Sequence, residues 1–200
     1  MIEKLKDTIA DCIICANFLP NRPRPIVQFS SKSKLLIIAQ APGQKAHDRG
    51  IPFDDLSGDN LRSWLGVSRE QFYNPELFAI MPMGFCFPGK GKSGDLPPRK
   101  ECAPQWHNKI MEQMKNLELI ILVGKYAQEY YLKDNPYKNL TETVISYQEF
   151  LPKYFPLVHP SPLNFRWHGK NKWFLESITP ELKKMVATIL METEEQNSMC

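Results

Sequence analysis

The sequence predicts an α/β fold, a three-layer α/β/α sandwich built on a central, mainly parallel four-stranded sheet. Three observations carry this expectation. Four short apolar runs read as strands, segments with helical spacing lie between them, and 42% hydrophobic residues among 200 suffice for one well-filled core. Strands that alternate with helices pair in parallel and are covered on both faces. A single domain over residues 1–190 is expected, with 191–200, "METEEQNSMC", as a flexible tail.

Taken in order, "DTIADCIICANF" (7–18) is amphipathic and lacks a signal-peptide cleavage site. "KLLIIAQ" (34–40) is a buried strand that runs into the loop "APG". "GDNLRSWLGV" (58–67) has helical spacing, with Ser57 or Asp59 as its cap. "ELFAIMPM" (76–83) is the second strand. Residues 97–116 form a long amphipathic helix opened by prolines and interrupted near Pro104. "LELIILVG" (117–124) is the clearest strand, and "KYAQEYYLK" (125–133) is the helix after it. "YFPLVHP" (154–160) is the fourth strand, and 172–192 the closing helix, broken at Pro180. The proline-rich stretch "LVHPSPLNFRWHGKNKWF" (157–174) reads as a stiff irregular loop, neither helix nor sheet.

In such folds ligands bind beyond the carboxyl ends of the strands. "AQAPG" (39–43), "MPMGFC" (81–86) and "HPSPLN" (159–164) each follow a strand, so they are expected to meet at one rim. The formal charge is only +3, but basic residues gather in loops at 22–25, 89–100 and 165–173. Interleaved aromatics in basic loops suit a polyanion such as nucleic acid, and solvated loops account for the charge equally well. No run reaches the roughly 18 apolar residues of a membrane span, so a cytoplasmic, monomeric protein is expected. In a reducing compartment the five cysteines point to metal, redox chemistry or burial rather than to disulfides.

With these motifs in order, the chain resembles the uracil-DNA glycosylase superfamily over roughly residues 12 to 190. "AQAPG" looks like its first motif, Gly50, Pro52 and Phe53 match the following G-x-P-F segment, and "HPSPLN" matches the last motif. Cys12 and Cys15, in C-x2-C, with Cys86 and Cys102 resemble the cysteines of its iron-sulfur branch, family 4, where four of them hold a [4Fe-4S] cluster. Zinc is the lesser alternative for four thiolates, and separately buried cysteines are the third. Cys200, in the polar tail, is expected to be a bystander.

The resemblance implies a DNA-repair glycosylase that flips uracil, or another deaminated or damaged base, out of DNA and hydrolyses its N-glycosidic bond. His159 would donate to the departing base, and Phe53 would stack on it. Ala41, Gly43 and Pro82 would line the base pocket. Leu163 would wedge into the duplex. Ser161, Ser57 and Asn164 would contact the DNA backbone, extended by Arg166, His168, Lys170 and Lys172. Two positions depart from the iron-sulfur branch: Gln40 stands where it has Glu, and Pro82 where it has the Asn that reads the base edge. In the best-known branch an Asp falls at the Ala41 position. Gln40 orients water but cannot accept its proton. Asp55 would then supply the carboxylate, since "DLSG" (55–58) matches the segment of another branch, family 5, with Asp48 and Asp54 as rivals. A catalytically weak nucleic-acid-binding protein on the same fold is the competing expectation, and a nucleotide-binding or nucleotide-processing protein a more distant one.

Overall fold

A computed structural model describes residues 2–92 and 94–198, with side chains described as far as Glu192. Cys200 lies outside the described residues. Four parallel strands, β1 (Leu35–Ile38), β2 (Phe78–Ile80), β5 (Leu119–Val123) and β6 (Tyr154–Leu157), form one sheet in the order β2-β1-β5-β6. The register pairs Leu35 with Phe78 and with Leu119, and Ile121 with Phe155. A two-stranded antiparallel hairpin, β3 (Lys90–Gly91) and β4 (Gly94–Asp95), stands apart from this sheet.

Successive side chains of a strand point to opposite faces, and the core divides accordingly. Leu35, Ile37, Ile121 and Phe155 face one way, onto α3 (Leu56–Leu65), α4 (Arg69–Tyr73), α7 (Leu140–Ile145) and α9 (Thr179–Ser198) through Leu61, Phe72, Val144 and Leu182. Leu36, Ile38, Ile120 and Leu122 face the other, onto α1 (Ile2–Ala10), α5 (Cys102–Met111) and α6 (Lys125–Tyr131) through Ile9, Ile110 and Ala127. The α/β/α sandwich is therefore built as the apolar runs predict. The outer edge of β2 is covered by Gln28, whose N–H and C=O pair with Ile80 and whose amide donates to Phe78 O at 2.8 Å. Covering an edge strand removes a template for aggregation.

Four local expectations are corrected. The cap of α3 is Asp55, whose carboxylate accepts the Gly58 N–H at 3.0 Å, rather than Ser57 or Asp59. Pro104 does not interrupt α5, because it lies in the first turn, where an N–H has no helical partner to lose. Pro180 does not break the closing helix; a π-helical turn over Phe174–Ile178 leads directly into α9. Residues 165–170, within the stretch read as irregular, form α8 (Phe165–Lys170), entered through a 3-10 turn at Pro162–Asn164. The helix α9 continues through the segment expected as a tail, as far as Ser198. No described helix is long and apolar enough to cross a membrane.

Candidate active site

The loops after β1, β2 and β6 meet, as their strand-end positions require. The ladder between the first two continues past the strands: Met81 N donates to Ile37 O at 2.9 Å, Met83 N to Ala39 O at 2.7 Å and Gly84 N to Gln40 O at 3.0 Å. Residue 82 falls between two donors of this ladder, so a proline, which has no N–H, fits there without loss. Pro82 is buried, and its carbonyl lies 3.1 Å from His107 Nε2. A carbonyl only accepts, so Nε2 carries the proton and Nδ1 accepts from Tyr131 Oη at 2.6 Å. Burial pushes the His107 pKa down to about 4. The loop that would read a base edge is thus anchored from below by a neutral histidine.

His159 follows β6 and forms, with Gln40, Asn164 and Trp167, part of the wall of a cleft of about 280 Å³. Its Nδ1 accepts the Ser161 N–H at 3.2 Å, so the neutral ring carries its proton on Nε2. Burial lowers its pKa, while the charges of Asp55 and Asp95 oppose that shift. At neutral pH the group is therefore a neutral Nε2–H donor. The loop around it is stiffened by its own polar groups. Asn164 Nδ2 donates to His159 O at 2.7 Å, Asn60 Nδ2 to Pro160 O at 2.9 Å, and Ser161 Oγ accepts the Leu163 N–H at 3.2 Å. Leu163 projects with 81% of its surface exposed, next to Phe165 at 65%. Apolar side chains so exposed at the tip of a held loop are suited to entering another surface.

The remaining expected residues take distinct places. Gln40 Nε2 donates to Leu96 O at 3.1 Å, which latches the β3–β4 hairpin to the first-motif loop. Phe53 stands at φ 55, a conformation that bulky residues rarely adopt, and its ring meets Phe72 edge-on at 6.2 Å. Its carbonyl is held by the buried Arg62 at 3.3 Å and packs directly over Gly58. Phe53, Ala41, Gly43 and Pro82 lie outside the wall that His159 and Gln40 share. Asp54 is paired with Arg49 and Arg69, both at 2.7 Å, and these hydrogen bonds hold its carboxyl below the usual range. Asp48 accepts from Gln44 at 2.7 Å. Ser57 lies in the first turn of α3, and Arg166 is exposed on α8.

Part of the basic character is structural. Arg24 donates to His47 O and Asp48 O at 2.6 and 2.9 Å, closing the end of α2 (Gln44–Arg49). Arg99 pairs with Glu101 at 2.6 Å and lies 4.3 Å from the Phe18 ring centroid. His168, expected at a backbone contact, is partly buried and packs edge-on against Trp64 at 5.6 Å. Sequence reasoning missed Asp95, Asn60, Trp167 and Gly58. The G-D pair within "KSGD" signals a turn in a stretch otherwise marked by its basic residues.

Cys12, Cys15, Cys86 and Cys102 are all free thiols, and all four line one small cavity together with Arg99 and Trp106. Cys12 follows α1, Cys86 lies within the loop after β2, and Cys102 opens α5, so the cavity ties three distant segments together. Burial first, and then the neighbouring cysteines, push the Cys86 thiol up to about 11 and the Cys102 thiol up to about 12. Such thiols ionise only beside a compensating cation. Among the described residues no three His, Cys, Asp or Glu side chains are grouped to hold a single metal ion.

A profile of the Uracil DNA glycosylase superfamily matches residues 26–183, a span that contains β1 to β6, the His159 loop and the Gln40 loop. The members of that superfamily are DNA glycosylases. From the parallel sheet, the three strand-end loops that meet beyond it and the matched span, the chain belongs to the uracil DNA glycosylase superfamily.

Proposed function

We propose that the protein is a DNA-repair glycosylase of the iron-sulfur, family 4-like branch, with altered first and second motifs. It would hydrolyse the N-glycosidic bond of uracil or another deaminated or damaged base. The observation that carries this reading is His159: half-buried, neutral, its proton set on Nε2 by the Ser161 N–H, four residues before an exposed Leu163. A neutral donor of this kind stabilises negative charge that develops on a departing base without first losing a proton of its own. Leu163 fills the gap left by the flipped nucleotide, and Phe53 stacks on the extruded base. Ala41 and Gly43, beside the cleft that His159 and Gln40 line, would contribute backbone to the base pocket. Pro82, with its carbonyl committed to His107, brings no edge-reading amide, so base selection passes to neighbouring groups. Ser57, Ser161, Asn164 and Arg166 face the phosphate backbone in this reading, with Asn164 also bracing the loop.

The four cysteines line one cavity and would hold a [4Fe-4S] cluster, as the resemblance to the iron-sulfur branch implies, with zinc the lesser alternative. Such a cluster would supply a structural clamp on the N-terminal segment and on the segments that carry Cys86 and Cys102. The protein acts as a cytoplasmic monomer on single- or double-stranded DNA.

The test is a glycosylase assay on oligonucleotides that each carry one modified base, followed by alkaline cleavage at abasic sites. Strand breaks at uracil, hypoxanthine or xanthine that vanish in His159→Ala are expected. Gln40, which cannot take a proton from water, favours a second reading as a DNA-binding protein of weak catalysis. Tight DNA binding with no break at any base would establish that reading instead.

A further inference from the structure

Hydrolysis of a glycosidic bond requires something to receive the proton of the attacking water, and Gln40 does not. Three carboxylates near the first motif are already engaged. Asp54 is held between Arg49 and Arg69, Asp48 accepts from Gln44, and Asp55 caps α3 through the Gly58 N–H. A fourth, Asp95, comes from the β3–β4 hairpin and lies against the first motif. Its Oδ2 is 3.4 Å from the place a Cβ on Gly43 would occupy, which puts the carboxylate directly against the first-motif backbone. Its Oδ1 is buried and pairs only with the solvent-exposed Lys90 ammonium at 3.0 Å, an ion pair that water screens.

The next residue, Leu96, accepts the Gln40 amide at 3.1 Å, so the hairpin cannot swing away while that bond holds. Leu96 N in turn donates to Gly89 O at 2.8 Å, which closes the hairpin base. Asp95 is also near enough to His159 for its charge to favour the imidazolium. The proton acceptor and the base-anion donor are thus within electrostatic reach of one another, with Asp55 the other carboxylate that acts on His159.

We propose that Asp95 is the carboxylate that accepts the proton of the attacking water, and that Gln40 serves to fix the Asp95 hairpin in place. This rests on the glycosylase reading. In the step, a water oxygen bonds to C1′ of the deoxyribose as the C1′–N bond breaks. The bonding pair leaves with the base, whose charge His159 Nε2–H stabilises. The water proton passes to the Asp95 carboxylate and then to solvent, and the base anion takes a proton from solvent. The products are an abasic site and the free base.

Single-turnover excision on the modified base that the wild type releases best tests this, with Asp95→Asn, Asp95→Glu, Gln40→Ala and Asp48→Asn compared at several pH values. Thermal unfolding is measured beside each. Asp95→Asn is expected to lower the rate by about 100-fold or more at unchanged melting temperature, since positioned proton transfer contributes roughly 10²–10⁴-fold. The acid limb of the wild-type pH profile, where the carboxylate is protonated, is expected to vanish in that variant. Asp95→Glu is expected to recover part of the rate, Gln40→Ala to lower it while keeping the acid limb, and Asp48→Asn to match the wild type. A merely structural Asp95 would move the melting temperature and leave the acid limb. An Asp95→Asn variant as fast as the wild type, while His159→Ala is inactive, overturns the proposal and leaves the glycosylase reading standing. A wild type that releases no base from any oligonucleotide removes that reading, and the proposal with it.

Discussion

Replacing Gly58 with alanine places a methyl group where the Phe53 carbonyl now lies. A Cβ on Gly58 would meet Phe53 O at 1.8 Å and its carbonyl carbon at 2.7 Å, well inside the 3.4 Å at which contact becomes ordinary. The obstructing atoms are backbone, so no rotamer change relieves them. Phe53 is already at φ 55, and its oxygen is tethered to Arg62, so the path of escape is narrow. Overpacking of this kind costs about 1–3 kcal/mol, read as a lower urea midpoint at unchanged slope. The functional loss is expected to be larger. Clearing the contact moves Phe53 by about 1 Å, and a misplacement of that size costs on the order of 100-fold in rate. Urea unfolding and single-turnover excision measure the two losses separately. Gly169→Ala is the control: nothing lies within 4 Å of its Cβ position in α8, so wild-type excision and a stability gain of up to about 1 kcal/mol are expected. A Gly58→Ala protein as stable and as active as the wild type would refute the reasoning.

Three further outcomes are expected. Leu163→Ala, at a side chain 81% exposed, should leave stability within about 0.5 kcal/mol. It should slow excision from duplex by roughly tenfold or more, with excision from single strands unchanged, because only a duplex has a gap to fill. For His107, the folded pKa is depressed from 6.5 to about 4, so protonation favours the unfolded chain. Its contribution is complete above pH 6.5 and is lost as pH falls towards 4, about 3 kcal/mol in all. Urea midpoints against pH should therefore fall more steeply for the wild type than for His107→Gln, and parallel curves would count against the buried neutral ring. Anaerobically purified protein should absorb at roughly 400 nm, and Cys86→Ser should be bleached and less stable. Colourless wild type with one zinc per chain would replace the cluster by that ion.

The strands were legible because parallel strands covered on both faces are written as unbroken apolar runs, as in Leu119–Val123. Helix ends were less so. Asp55, Ser57 and Asp59 are all acceptable caps by residue type, and only the backbone, extended at Asp55 and helical from Leu56, chooses among them. Pro104 and Pro180 look like breaks in sequence because proline is costly inside a helix. The structure places one in a first turn and the other just after a π-helical turn. In the site, His159 and Gln40 were visible because they follow strands. Asp95 was not, since its position depends on a long-range latch between Gln40 and Leu96. Charge alone left the basic loops equally open to nucleic acid and to solvent; the structure shows Arg24 and Arg99 bonded within the molecule.

The ladder that runs on from β1 and β2 into their loops has a consequence for how such a protein changes over time. Met83 and Gly84 are joined to Ala39 and Gln40 by main-chain bonds, which do not depend on what those residues carry as side chains. The rim is a socket whose shape is set independently of its fittings. Substitutions at 40 and 82 leave those main-chain bonds in place, while one at 40 also releases the Leu96 latch. A scaffold of this kind acquires a new substrate one residue at a time, with no intermediate that must first learn to fold again.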